Sequence, residues 1–345
     1  MFEPPQSVLV LRFSSVGDVI LTAPAVSALR AAWPQTRILY AVKAELRHLV
    51  AHNPHVDEVI LLHPREGFLN FARRVRALRC GAVLDLHGKI RSRLLHLLLP
   101  RTRTVIWHKR DFRETVSVKL AFRTYRAPMH LADRYHHAVE KLVGRPLPRG
   151  QLRYFLGPDD LEMAGERLAA AGVDLSRPMI GLSPGANWRT KRWPTDRFGE
   201  LARQAIAAGY QVVVTGAKSE LHLGSEIASL APGVFDLTSQ LDLKGLGGFI
   251  SRCTSFVAND SGPMHMARAL GVPTLAFFGS TDPGMCDFRG HAFMFAGVSC
   301  SPCSFFGRRR CPRGHFRCML DLDAEAAWRS LRPLLSVGPR PLVSA

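Results

Sequence analysis

No apolar run in this 345-residue chain approaches the ~18 residues that a membrane-crossing helix needs. The N-terminus, MFEPPQSVLVLRF, lacks a basic stretch leading into an apolar segment and a small-residue cleavage site, so no secretory leader is expected and a cytoplasmic protein is. Neither a Gly-x-Gly-x-x-Gly fingerprint nor a Walker lysine pattern occurs, which disfavours an ordinary dinucleotide or P-loop site. There is no short-period repeat and no low-complexity tract. Acidic residues are scarce: 28 Asp and Glu stand against 46 Lys and Arg, a net charge of +18. The shortage is uneven. Residues 1–155 hold 26 basic and 11 acidic side chains, a balance of +15, whereas residues 156–345 hold 20 and 17, a balance of +3. Such asymmetry points to an anionic partner for the first half: nucleic acid, a membrane surface or an acidic substrate.

What is present is an alternation of short apolar runs and amphipathic segments. Ser7–Arg12 is apolar and rich in β-branched residues, as a strand buried on both faces is. Val19–Trp33 follows at helical spacing and stops at Pro34. Strands are expected at Ile38–Val42, Glu58–Leu62 and Ala82–Leu86, and helices at Glu45–His52 and Leu69–Leu78. The pattern restarts near residue 157. Helices are expected at Pro158–Ala171, Arg197–Ala208, Leu221–Ala231, Lys244–Cys253, Gly262–Leu270 and Asp323–Leu335. Strands are expected at Pro178–Leu182, Gln211–Thr215, Ser255–Ala258 and Thr274–Phe278. This reads as two α/β domains, 1–155 and 156–335, each a doubly wound parallel sheet, joined near Arg149–Pro158 and followed by a loose tail, 336–345. Ligands of such sheets bind at the carboxyl ends of the strands.

Three loops occupy that place. In Ser14-Ser15-Val16-Gly17-Asp18, Gly17 permits close backbone approach and Asp18 stands at the start of a helix, where aspartate also serves as a simple cap. In Ser183-Pro-Gly-Ala-Asn-Trp-Arg-Thr-Lys191-Arg-Trp193-Pro194, small residues followed by cations suit a diphosphate, though a solvated basic turn has the same composition. In Val257-Ala-Asn-Asp260-Ser261-Gly262-Pro-Met-His265, hydroxyl and backbone N–H groups gather at a helix N-terminus, and His265 alone would pass for a half-buried helix histidine. All three end strands, so together they favour a nucleotide-diphosphate site more than any does singly.

The blocks RFSSVGDVILTAPAVSALRAAWP, SPGANWRTKRWP and VANDSGPMHMARALGVP resemble bacterial heptosyltransferases of glycosyltransferase family 9, over roughly residues 7–335. The resemblance implies a GT-B fold of two Rossmann-like domains with a cleft between them. The N-terminal domain would bind a lipid-linked acceptor and the C-terminal domain a nucleotide sugar, typically ADP-heptose. It implies inverting transfer to the lipopolysaccharide inner core, with no cofactor required for catalysis. Carried over by position, Asp18 is the base, Lys191 contacts the diphosphate, and Asp260, Ser261, Gly262 and His265 bind the donor. Ser183 and Gly185 would border the diphosphate, and Glu220 would sit at the ribose. Asp18 would face Lys191 and Asp260 across the cleft. Ser15, Gly17, Arg73, Arg74, Arg91 and Arg93 are candidate acceptor contacts, since Arg forks suit carboxylates and phosphates. The basic first half then fits an anionic glycan acceptor at the cytoplasmic face of the inner membrane, where the protein would associate peripherally.

The same family with another donor sugar or acceptor glycan is the nearest alternative. A nucleic-acid-binding protein is a further one, without an aromatic-basic RNA signature or a zinc-finger spacing. Separately, Cys300, Cys303, Cys311 and Cys318, with His315 among them, form a candidate structural zinc cluster, although the second pair lacks the Cys-x2-Cys spacing. Free thiols or a disulfide are the alternatives.

Overall fold

A computed structural model describes residues 3–99, 102–107 and 129–336. They divide into two compact units, which part between Phe155 and Leu156.

In the first unit, β1 (Ser7–Leu11), β2 (Arg37–Lys43), β3 (Glu58–Leu62), β4 (Ala82–Asp85) and β5 (Arg103–Ile106) form a parallel sheet in the order β3-β2-β1-β4-β5. Val8–Leu11 are wholly buried, because helices cover both faces and leave no side of the strand to water. The helices are α1 (Val16–Ile20), α2 (Ala23–Ala32), α3 (His48–Ala51), α4 (Phe68–Ala77), α5 (Ile90–Leu97) and α6 (Leu131–Val143). One core joins Leu9, Leu11 and Phe13 to Leu39, Ile60, Phe71, Val83 and Leu95. Leu11 lies level with Ala41 on one side and Asp85 on the other. The loops after β1 and β4 therefore leave the sheet side by side, where the strand order reverses.

Two expected helices are remodelled. The single helix read from Val19 to Trp33 is two, α1 and α2. Pro24 stands in the first turn of α2 and has no N–H to continue the ladder from α1. Glu45–His52 resolves into a 3-10 turn, Ala44–Leu46, and the short α3.

The second unit repeats the plan. Strands β6 (Met179–Ser183), β7 (Gln211–Val214), β8 (Val234–Asp236), β9 (Ser255–Asn259), β10 (Thr274–Phe278) and β11 (Ala292–Phe295) pair in parallel in the order β11-β10-β9-β6-β7-β8. Around them lie α7 (Pro158–Ala170), α8 (Thr195–Ala207), α9 (Leu221–Leu230), α10 (Leu243–Arg252), α11 (Gly262–Ala269), α12 (Arg317–Leu320) and α13 (Ala324–Leu335). Ile180, Phe198, Val212, Val257, Phe277 and Leu331 belong to its core. Asp323 caps α13 by accepting a hydrogen bond from the Ala326 N–H at 2.7 Å. Residues 337–345 of the expected tail lie outside the described residues. Here the order reverses between β6 and β9, so the Ser183 and Asp260 loops emerge together at the switch point that open α/β sheets use for ligands.

Candidate active site

In the first unit Asp18 is the third residue of α1, and its carboxylate reaches back to the start of the helix. Its Oδ2 accepts hydrogen bonds from the Ser15 hydroxyl at 2.9 Å and the Ser15 N–H at 3.3 Å. That much is capping. The rest is not, because Arg12 Nη2 lies 2.5 Å from the same oxygen. Tyr135 Oη approaches Asp18 Oδ1 at 3.4 Å. The Arg12 side chain is 1% exposed and that of Asp18 is 20% exposed, so a buried cation grips a carboxylate that solvent still reaches. Arg12 is held from three further sides. Its Nη1 donates to the Leu86 carbonyl at 2.5 Å, and its guanidinium lies 5.8 Å from the Trp107 ring centroid and 5.4 Å from that of Tyr135. Burial works against the Arg12 charge, but Tyr135 and Asp18 outweigh it and its pKa is raised. Burial and the nearby Asp18 charge likewise raise the Tyr135 phenol, which keeps its proton and acts as donor.

Beside this loop, the one after β4 is organised by a buried carboxylate. Asp85 accepts from the His87 N–H at 2.8 Å and the Gly88 N–H at 2.9 Å, and pairs with His96 Nε2 of α5 at 3.0 Å. Burial works to raise its pKa, but His96, Gly88, Ser92 and His87 more than reverse this and hold it low. Gly88 takes a φ of +61°, and a Cβ there would meet the Trp107 carbonyl oxygen at 2.6 Å. Burial, reinforced by the Arg12 and Lys89 charges, depresses His87 to about 4, so its imidazole is neutral at pH 7. His87 packs edge-on against Phe13, with ring centroids 5.1 Å apart.

In the second unit the Ser183 and Asp260 loops are tied by one residue. Asn259, fully buried at the end of β9, donates to the Pro184 carbonyl at 2.7 Å and accepts from the Trp193 N–H at 2.9 Å. Trp193 stacks on Phe277 at 3.9 Å and donates its indole N–H to the Leu322 carbonyl at 2.9 Å. This anchor fixes the 3-10 turn Arg189–Lys191, from which Lys191 Nζ reaches Asp260 Oδ2 at 2.7 Å. Thr281 donates to the same oxygen at 2.7 Å, and His265 Nε2 lies 4.0 Å from Oδ1. Burial works to raise the Asp260 pKa, and Lys191, His265 and the Thr281 hydrogen bond reverse it to a net lowering. Ser261 is the N-cap of α11 yet makes no capping bond, and its Oγ is buried without a hydrogen-bond partner. Such a hydroxyl is suited to a ligand oxygen at the helix N-terminus. Glu220 lies against Gly185: a Cβ on Gly185 would fall 2.0 Å from its Oε1, so only glycine admits the carboxylate here. The Ala217 N–H fixes Glu220 at 2.8 Å. Ser183, Gly185, Lys191, Glu220, Asp260, Ser261, Gly262 and His265 thus gather around the loops that leave this unit's switch point.

With this geometry in view, the profile of glycosyltransferase family 9 (heptosyltransferase) matches residues 68–303, more than half of the chain. The chain belongs to glycosyltransferase family 9. It is 27% identical over 319 residues to lipopolysaccharide heptosyltransferase 1 of Pseudomonas aeruginosa, covering 86% of this chain and 85% of that protein. A family 9 glycosyltransferase structure from Veillonella parvula superposes with a TM-score of 0.81 at 24% identity, covering 96% of this chain and 98% of the other. ADP-heptose lps heptosyltransferase II of E. coli superposes with a TM-score of 0.74 at 23% identity, covering 96% and 99%. The two Rossmann-like units are those of the GT-B fold, and the protein is a glycosyltransferase.

For the candidate zinc cluster, among the described residues no three His, Cys, Asp or Glu side chains stand where they could hold a metal ion. All seven cysteines are free thiols. Cys300 Sγ touches His315 Nε2 at 3.4 Å, and burial and the neighbouring thiols push the Cys318 thiol up to about 12. Backbone hydrogen bonds hold the loop. Arg308 N–H donates to Thr190 Oγ1 at 2.7 Å, and the Cys303 and Ser304 N–H groups donate to the Ser280 carbonyl at 3.1 and 2.9 Å. Gly307, at φ +101°, lies so close to the lysine turn that a Cβ would meet Trp188 Cβ at 2.5 Å and Lys191 Cδ at 2.9 Å. The cysteine loop is a brace behind Lys191.

Of the candidate acceptor arginines, Arg74 is engaged within its own unit. It forms a fork with both Glu66 oxygens, at 2.8 and 3.0 Å, and donates to the Leu61 carbonyl at 2.6 Å, so it closes the β3–α4 loop. Arg73 is exposed and donates to Asn70 Oδ1 at 3.2 Å. Arg91 and Arg93 line an open recess with Gly88, Lys89 and Ile90, and neither has an acidic partner among the described residues. Arg91 also lines a second recess of about 310 Å³ with Lys43, His63, Glu66 and Phe68. Ser15 touches Asp18 directly, and Gly17 is buried in α1. Arg12, Tyr135, His87 and Asn259 were not expected as site residues. Arg12 and Asn259 carried a signal, a polar residue closing an apolar run, Val8–Leu11 and Phe256–Ala258. Tyr135 carried none, because α6 is remote in sequence from the loop it completes.

Proposed function

We propose that this glycosyltransferase transfers heptose, with inversion, from ADP-heptose to the inner core of lipopolysaccharide. The names of its relatives support the substrate pair, and the second unit supplies the donor chemistry. The observation that carries this reading is the pairing of Lys191 with Asp260 beside the unbonded Ser261 hydroxyl at the N-terminus of α11. A diphosphate placed there would take Lys191 as its counter-charge and the Ser261 hydroxyl and terminal N–H groups as donors. Glu220, beside Gly185, would accept from the ribose hydroxyls.

Asp18 accepts the proton of the acceptor hydroxyl as that oxygen attacks the anomeric carbon. The bond from that carbon to the diphosphate breaks on the opposite face, which inverts the centre. The charge that develops on the leaving diphosphate falls on Lys191 and the helix-terminal N–H groups. Arg12 holds the carboxylate of Asp18 in place, and Arg73, Arg91 and Arg93 meet the anionic groups of the lipid-linked acceptor where it leaves the bilayer surface. Thermal stabilisation by a panel of nucleotide sugars tests the donor class. A rise in Tm with ADP-heptose and none with UDP- or GDP-sugars is expected. Stabilisation by a UDP- or GDP-sugar alone would assign another donor.

A further inference from the structure

We propose that α5 is the element by which this chain docks on an anionic lipid bilayer. Ile90, Leu94 and Leu97 are 78%, 46% and 77% exposed. At about 100° per residue, positions 90, 94 and 97 fall within a stripe about 60° wide on one side of the helix. Ser92 and Leu95 are buried on the opposite side, and His96 is tied to Asp85 at 3.0 Å. The helix is thus anchored by its inner face, and the outer stripe contributes nothing to that anchoring.

Single exposed apolar side chains are common and need no explanation. Three in line on a helix of only eight residues, where a solvent-facing surface would carry polar groups, are a different case. Arg93 flanks the stripe on one side and Arg91 on the other, and Lys89 stands at the N-cap. Leu69, 62% exposed, follows Phe68, which lines the same recess as Arg91. An apolar ridge between unpaired cations is the pattern of an interfacial helix, with chains in the acyl boundary and cations among anionic headgroups. Charge selects the occupant. A second copy docked face to face would bring Lys89, Arg91 and Arg93 against themselves, whereas an anionic bilayer neutralises them.

This inference extends the proposal of a lipid-linked acceptor, and vesicle binding is measured apart from transfer, so either can fail alone. The experiment co-sediments the full chain with vesicles of phosphatidylethanolamine and phosphatidylglycerol, and with vesicles of phosphatidylcholine only. Wild type is compared with the double variant Leu94→Ser/Leu97→Ser, and transfer to a deacylated, water-soluble acceptor is assayed in parallel. Wild type should bind the anionic vesicles, less so as salt is raised. The double variant should partition at least about tenfold more weakly and keep its turnover on the soluble acceptor. Equal vesicle binding by both proteins, or none by wild type, would overturn the proposal. So would a wild-type dimer in solution that the double variant converts to monomer, because a second copy would then cover the ridge.

Discussion

Arg12 Nη2 lies 2.5 Å from Asp18 Oδ2, and the two residues stand at opposite ends of the same seven-residue turn from strand to helix. A buried arginine beside a solvent-reached carboxylate does two things. It removes rotamer freedom from the carboxylate, and it favours the ionised form. Arg12→Met is therefore expected to lower kcat by about 10- to 100-fold, consistent with loss of an oriented base. The acid limb of the pH–rate profile should move to higher pH, because the carboxylate loses the cation that stabilises its charge. Arg12→Lys should recover part of both effects. A variant with reduced kcat but an unchanged pH profile would make Arg12 a packing residue only.

Lys191 is expected to act on the donor and not on the acceptor. Lys191→Ala should weaken ADP-sugar binding by about 10- to 100-fold, the range for losing a charge-assisted contact to phosphate. It also leaves Asp260 buried without its nearest cation. Isothermal titration with ADP reads this directly. Unchanged donor affinity with weakened acceptor binding would misplace the diphosphate.

The brace behind Lys191 is testable at its closest point. Gly307→Ala forces a φ of +101° on alanine and sets a Cβ 2.5 Å from Trp188. A loss of about 1–3 kcal/mol in stability is expected from backbone strain, together with a raised KM for the donor. A lowered Tm with donor KM unchanged would show that the cysteine loop does not steady the lysine turn.

His87 ties stability to pH. Its folded pKa of about 4 lies below the ordinary 6.5, so between those values the unfolded chain binds a proton that the folded chain does not. Stability from this residue is complete above about pH 6.5 and is lost as pH falls towards 4, by up to about 3 kcal/mol. Urea unfolding of wild type and His87→Gln from pH 4 to pH 7.5 should show that slope in wild type and its loss in the variant. Parallel curves would mean that His87 does not titrate with folding.

Much of the site was legible because its chemistry is local. Asp18, Lys191 and Asp260 each lie within a few residues of a strand end, where apolar runs give way to Gly, Ser and charge. The strands themselves were legible because burial on both faces leaves continuous apolar runs such as Val8–Leu11. What escaped is what depends on contacts distant in sequence. Tyr135 reaches Asp18 from α6, and Asn259 links Pro184 to Trp193, through pairings that no spacing encodes. Arg74 looked like its neighbour Arg73 in sequence and differs only because Glu66 lies within reach. The backbone hydrogen bonds to Thr190 and Ser280 that hold the cysteine loop were likewise invisible in the spacing of its four thiols. The break between α1 and α2 was written in Pro24 but hidden by apolar spacing that runs through it.

The central claim is that Asp18 is the base. It is tested most directly by Asp18→Asn, which keeps the shape and the hydrogen bonds to Ser15 but cannot take a proton. With ADP-heptose and a heptose-free lipopolysaccharide acceptor, single-turnover transfer should fall by at least about 10²-fold, while ADP binding stays within about twofold of wild type. Transfer at a near-normal rate by Asp18→Asn would contradict it.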